Sequence, residues 1–258
     1  MRYLFSAFLI LISVQCQALS PAIQAVVGST SAPSCTACTG GLIFAAYFED
    51  ASGNVTLGTP CGCSVGDTTG AAADSCTITG GYADVADGGK YFAWDVSSTD
   101  IFDWAAGSML IEFVGVTAVT NSRLFSVVAE AAQNQLTIYS NTDEIFAMHE
   151  GADAGPTVVA TSGASTVVYD GTTHYYIVLR WDTADVDPNF FIGVYNGTTD
   201  ALIDSDQSNG PLTAWDVEPG AGTFHVGNDT ANDGAFKIYK VLVWDSYAGA
   251  PSSGFAGY

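Results

Sequence analysis

Beyond residue 40 the apolar positions fall in short runs separated by turn residues. No stretch of useful length repeats them at the helical period, so the pattern predicts strands. Eleven runs qualify: 42–48, 91–94, 110–116, 123–128, 135–139, 145–148, 157–160, 174–181, 190–195, 224–226 and 236–244. Between them stand turn signals such as Asp170-Gly171 and Asn196-Gly197, where Asp, Asn and Gly tolerate positive φ. This many strands requires two packed sheets. In 174–181, Tyr175, Ile177, Leu179 and Trp181 share one face and Tyr176, Val178 and Arg180 the other. With both faces largely apolar, this run is expected as a central strand.

The first residues break the pattern. Met1-Arg2 is a short positive start, 3–14 is apolar, and Gln15-Cys16-Gln17-Ala18 offers a small residue for cleavage, which reads as a secretory signal peptide over 1–18. The apolar run is too short to span a bilayer, and no later segment is long enough to do so. Gln15 stands where a lipoprotein signal wants a small residue, so Cys16 is expected to leave with the leader. A Cys-containing segment follows over 19–40, then one domain over 41–247 and an irregular tail over 248–258, rich in Gly, Ser, Ala and Pro.

Charge and cysteines narrow the setting. Twenty-seven acids against six Lys and Arg give a net charge of -21, which repels polyanions and excludes nucleic acid as a partner. Cys35, Cys38, Cys61, Cys63 and Cys76 are an odd set within one window of the exported chain. Disulfides suit an oxidising compartment, and four of these thiolates around zinc are the alternative.

Several segments then match in order. Gly41-Leu42-Ile43-Phe44 leads into an acidic turn at 49–54; Asp87-Gly88-Gly89-Lys90-Tyr91 precedes the second strand; Gly107-Ser108-Met109-Leu110 opens another. Asp170-Gly171 runs through to Trp181-Asp182, followed by Tyr195-Asn196-Gly197, Phe224-His225-Val226-Gly227 and a last long strand over 237–244. This order resembles the laminin G-like, concanavalin A-like jelly-roll superfamily over residues 41–247. The resemblance implies an all-β, two-sheet antiparallel jelly-roll β-sandwich. It departs from the pattern at His174, where a Trp is usual, and in the insertion that spans Cys61 to Cys76.

The glycosidases of that superfamily carry paired carboxylates on one strand, as a retaining mechanism needs. None of the six Glu residues begins such a strand; Glu112, alternating with Leu110 and Val114, is the best isolated acid. The superfamily's lyases need a His and a Tyr, for which His174 with Tyr176 is the available pair. No nucleophile elbow, phosphate-binding loop or His pair at metal spacing occurs, and the chain is expected to be non-catalytic.

The acids of this chain are mostly Asp in turns, and hard oxygen ligands suit Ca²⁺. The resemblance implies a cation between the acidic turn after the first strand and the last strand, which points to Asp50 and Asp245. Asp182, Asp185 and Asp187 form a second acidic loop. Aromatic rings at strand ends suit the apolar faces of sugars, and Trp94, Trp104, Trp215 and Tyr247 are the candidates. Asn54, Asn196 and Asn228 begin glycosylation sequons. The expectation is a secreted binding domain for an extracellular carbohydrate or surface protein, assisted by Ca²⁺. Its alternative is a self-associating subunit of a surface layer, filament or virion coat, and a polysaccharide lyase or glycosidase stands third.

Overall fold

The computed structural model describes residues 41–48, 56–57, 72–74, 77–85, 91–95, 105–118, 120–130, 133–150, 158–163, 166–184, 188–208, 212, 223–227 and 235–255. All of them belong to one compact unit over residues 32–258. The leader, the segment 19–40 and all five mature cysteines lie outside the described residues.

Among the described residues sixteen strands build two sheets, and every pairing is antiparallel. The nine-stranded sheet contains β1 (Leu42–Tyr47), β2 (Thr56–Leu57), β4 (Thr77–Thr79), β5 (Tyr82–Asp84), β7 (Ala106–Thr117), β12 (His174–Asp182), β13 (Phe190–Asn196), β14 (Leu202–Ser208) and β16 (Ala235–Trp244). Its main path runs β14-β13-β12-β7-β16-β1-β2, with β5 also on β16 and β4 on β5. The seven-stranded sheet contains β3 (Ala72–Asp74), β6 (Tyr91–Asp95), β8 (Thr120–Glu130), β9 (Gln133–Asn141), β10 (Glu144–Glu150), β11 (Val158–Thr161) and β15 (Thr223–Gly227), in the order β11-β10-β9-β8-β15-β6-β3. This is an antiparallel β-sandwich of the jelly-roll, lectin-like type.

All eleven predicted runs are strands, and β12 is central, between β7 and β13. The five unpredicted strands are β2 to β5, each two or three residues long, and β14. β14 reads Leu-Ile-Asp-Ser-Asp-Gln-Ser and is an edge strand whose exposed side chains carry no core pattern. Its acids nonetheless act structurally. Asp206 Oδ2 accepts the amide of Thr161 at 2.8 Å, and Asp204 accepts that of Gly163, so the edge of one sheet is stitched to the chain leaving β11 in the other.

The inter-sheet core is aromatic. Phe224 packs against Phe44 and Phe125 at ring distances of 4.7 and 4.8 Å, and all three are fully buried. Trp181 lies flat on Gly107 of the paired strand, where a Cβ would fall 2.1 Å from the indole, so only glycine admits this ring. A second apolar cluster covers the outer face of the nine-stranded sheet and includes Leu110, Tyr176, Val178, Tyr195, Trp244 and Phe255. That face would be exposed apolar surface were it not for residues 246–255, which fold back over it. Ser108 Oγ donates to Ser246 O and accepts from Ala250 N, both at 2.7 Å, while Arg180 Nη2 donates to Ala250 O at 3.1 Å. Phe255 then inserts between Tyr176 and Tyr195, 5.0 and 4.8 Å away. The described part of the tail thus contains no strand and still covers this face.

Candidate functional site

On the outer face beside this segment lies a cluster of titratable and aromatic side chains from four strands. Alternation along β7 sends Ile111 and Phe113 into the core and Glu112 outward. On β12, Tyr175 and Ile177 point inward, which puts His174 and Tyr176 on the outer face. On β16 the phase changes: Phe236 and Ile238 enter the core, and so do Val241 and Val243. Pairing with β7 skips one residue between Ile238 and Lys240, a β-bulge that turns both Tyr239 and Lys240 outward. Tyr82 joins them from β5.

Glu112 is the hub. Its Oε1 accepts from His174 Nδ1 at 3.0 Å, and its Oε2 lies 3.3 Å from the ammonium of Lys240. Lys240 is 4% exposed and also donates to Phe255 O at 3.2 Å. Burial pushes the Glu112 carboxyl up, but the His174 hydrogen bond and the charge of Lys240 outweigh it, so Glu112 is held below the usual carboxylate range and is ionised at neutral pH. The His174 ring packs on Tyr239 at 4.5 Å, and Tyr239 on Tyr82 at 5.6 Å. The Lys237 ammonium sits 5.1 Å from the centre of the Tyr82 ring and donates to Gly171 O at 2.9 Å. Gly197 N donates to His174 O at 2.8 Å, and a Cβ at Gly197 would fall 2.5 Å from the His174 Cβ, so only glycine lets the β13–β14 turn approach the histidine this closely.

The sequence singled out Glu112, His174 and Tyr176, and the structure gathers them on one face. Tyr176 is buried beneath Phe255, and the tyrosine that reaches the imidazole is Tyr239. Tyr239, Tyr82 and Lys240 were missed. The signal for Tyr239 and Lys240 is the switch from even to odd apolar positions in Phe236-Lys237-Ile238-Tyr239-Lys240-Val241-Leu242-Val243, which marks a bulge; Tyr82, on a three-residue strand, has none.

Of the other predicted residues, those that are described, Tyr247, Asp182 and Asp245, do not join this cluster. Tyr247 lies near Arg180, 6.0 Å from its guanidinium, and burial raises its hydroxyl pKa. Arg180 is six residues along β12 from His174, or about 20 Å. Trp94 belongs to β6, opposite Phe224, but its side chain lies outside the described residues, as do Trp104 and Trp215. Asp245 is exposed and rests against Gly41, at the end of β1 away from Phe48. Asp182 accepts the amide of Ala184 at 2.7 Å. Asp50, Asp185 and Asp187 lie outside the described residues. Among the described residues no three His, Cys, Asp or Glu side chains come together as a metal ion requires.

No known protein family matches the chain, and no curated protein matches it in sequence. Solved structures do. The binding domain of botulinum neurotoxin serotype G superposes with a TM-score of 0.56 at 9% identity, over 84% of this chain and 50% of that one. Trypanosoma rangeli sialidase gives 0.55 at 12% identity, over 82% of this chain and 31% of that one. The botulinum neurotoxin DC binding domain, determined in complex with SialylT, gives 0.52 at 9% identity, over 84% and 50%. The fold is that of lectin-like β-sandwiches. This chain spans about a third to a half of the length of those proteins.

Proposed function

We propose that this chain is a secreted, non-catalytic glycan-recognition domain of the laminin G-like type, which takes its ligand on the outer face of the nine-stranded sheet at Tyr82, Tyr239 and His174. The observation that carries the reading is the half-exposed row of three rings, Tyr82 to Tyr239 to His174, flanked by Lys237 and Glu112. Rings give a sugar an apolar platform, and polar groups at the margin fix its orientation. The fold supports it, since one neighbour of the same architecture was determined with SialylT bound.

Two features favour binding over reaction. Glu112 is the acid in the cluster, and both of its oxygens are engaged, so it is neither a proton donor nor a free nucleophile. A retaining glycosidase pairs two carboxylates about 5 to 5.5 Å apart, whereas the side chains that meet the Glu112 carboxylate are His174 and Lys240. Extracellular location rests on the leader in the sequence. The Ca²⁺ expectation rests on Asp50, Asp245, Asp182, Asp185 and Asp187 in the sequence, of which Asp50, Asp185 and Asp187 lie outside the described residues.

The test is an immobilised-glycan array probed with the wild-type chain and with Tyr239→Ala. A defined subset of glycans should bind, and losing the central ring should weaken that binding at least about tenfold, equivalent to about 1.4 kcal/mol. An array with no bound glycan, or equal binding by the variant, overturns the reading.

A further inference from the structure

His174 holds an unusual position within this cluster. One ring nitrogen faces a buried carboxylate, while the side chain remains 36% exposed. An ionised carboxylate only accepts hydrogen bonds, so the nitrogen facing Glu112 must carry the proton. In the neutral imidazole the proton on Nδ1 leaves Nε2 with a bare lone pair. The His174 ring meets Glu112 through Nδ1 and packs on Tyr239, and among the described residues no hydrogen-bond partner faces Nε2.

Three features keep this arrangement from relaxing. Glu112 cannot swing away, because its second oxygen is held by Lys240, which Phe255 O anchors in turn. The imidazole cannot turn freely, because Tyr239 packs on it at 4.5 Å with a 43° interplanar angle. The main chain is held, because His174 O accepts from Gly197 N at 2.8 Å. We propose that Glu112 is a positioning residue that locks His174 in the Nδ1–H tautomer, so that Nε2 accepts a hydrogen from a sugar hydroxyl seated against the Tyr239 and Tyr82 rings. The ordering cost of this acceptor is met in the free protein, which is the ordinary route by which a preformed site gains affinity. A bare lone pair backed by a carboxylate disfavours groups that only accept, so carboxylate or sulfate groups belong away from this nitrogen. Lys237, at the far side of Tyr82, is the cation placed to meet them.

This inference deepens the glycan reading and rests on it, and the experiment separates the two. Long-range ¹H–¹⁵N NMR, recorded at a pH where the spectra show the neutral imidazole, reports which ring nitrogen is protonated. Wild-type His174 should show Nδ1–H alone, and Glu112→Gln should show a mixture of both tautomers. The same spectra are then followed during titration with lactose, N-acetyllactosamine and 3′-sialyllactose. At least one should move the Nε2 resonance, and Glu112→Gln should weaken that sugar about tenfold, equivalent to about 1.4 kcal/mol. Should Glu112→Gln fail to fold, Glu112→Asp serves as the second variant, because the shorter side chain keeps a charge for Lys240 while drawing the carboxylate away from Nδ1, and it should show a mixture of both tautomers.

A wild-type ring protonated on Nε2, or a mixture of tautomers, overturns the proposal whatever the sugars do. A locked tautomer whose Nε2 stays silent with all three sugars, on a chain that binds the glycan array, removes His174 from the contact and leaves the glycan reading standing. Equal affinity in the wild type and Glu112→Gln removes the positioning role.

Discussion

The segment after β16 offers the sharpest test of how this fold is held together. Phe255 is fully buried, with its ring between Tyr176 and Tyr195. Replacing it with Ala removes an aromatic side chain that buries about 150 Å² or more, worth about 4 kcal/mol at about 25 cal/mol per Å². Core Phe→Ala changes cost about 3–5 kcal/mol once the cavity is included. The remaining ties of the segment are Ser108 to Ser246 O and Ala250 N, Arg180 to Ala250 O, Lys240 to Phe255 O, and Asp200 to Gly254 N. At about 0.5–1.5 kcal/mol each they do not replace the lost ring. Urea unfolding at neutral pH should show a midpoint lowered by the equivalent of about 3–5 kcal/mol with an unchanged slope. Ser253→Ala, exposed on the same segment, should stay within about 0.5 kcal/mol of wild type. A Phe255→Ala loss below about 1 kcal/mol would mean that the segment is a loose cover and that the outer face is stable without it.

Three further outcomes are expected. Glu112 has a lowered pKa in the folded chain, so its bonds stabilise the fold above the ordinary carboxylate range and that contribution is lost as pH falls through the lowered value. Unfolding free energy in Glu112→Gln should therefore decline less steeply from neutral to acid pH than in wild type, and parallel curves would contradict this. Lys240→Met leaves Glu112 buried without its cation and should cost about 3–5 kcal/mol in equilibrium unfolding, with a substantial part recovered in Glu112→Gln/Lys240→Met; additive losses would show that the two side chains are not coupled. The acidic loops predict that calcium at a hundredfold excess over its dissociation constant adds about 2.7 kcal/mol, so the melting temperature should drop on adding EDTA; coincident melts would remove the ion.

How much of this was legible depended on whether the signal was local. β12 could be read because its alternation and its two apolar faces are written in eight consecutive residues. β14 could not, because an edge strand whose side chains face water looks like any polar loop. Glu112 stood out as an acid in an apolar run, yet its partners lie far away in sequence, and β-strand register is what brings them together. Tyr239 was hidden by the assumption of strict alternation, which the bulge violates. The apolar outer face of β12 showed that the strand is covered, but composition at 248–258 gave no sign that Phe255 is what covers it.

The bulge at Tyr239 also separates the cluster from the scaffold that carries it. Deleting one codon there would restore uninterrupted alternation along β16 and leave Phe236, Ile238, Val241 and Val243 free to pack from a regular strand. The same deletion would remove the ring that backs His174 while leaving Lys240 opposite Glu112, as it is now paired. A lineage could therefore gain or lose the aromatic part of this cluster by a single in-frame insertion or deletion, with little change in the sandwich or in the Glu112–Lys240 pair.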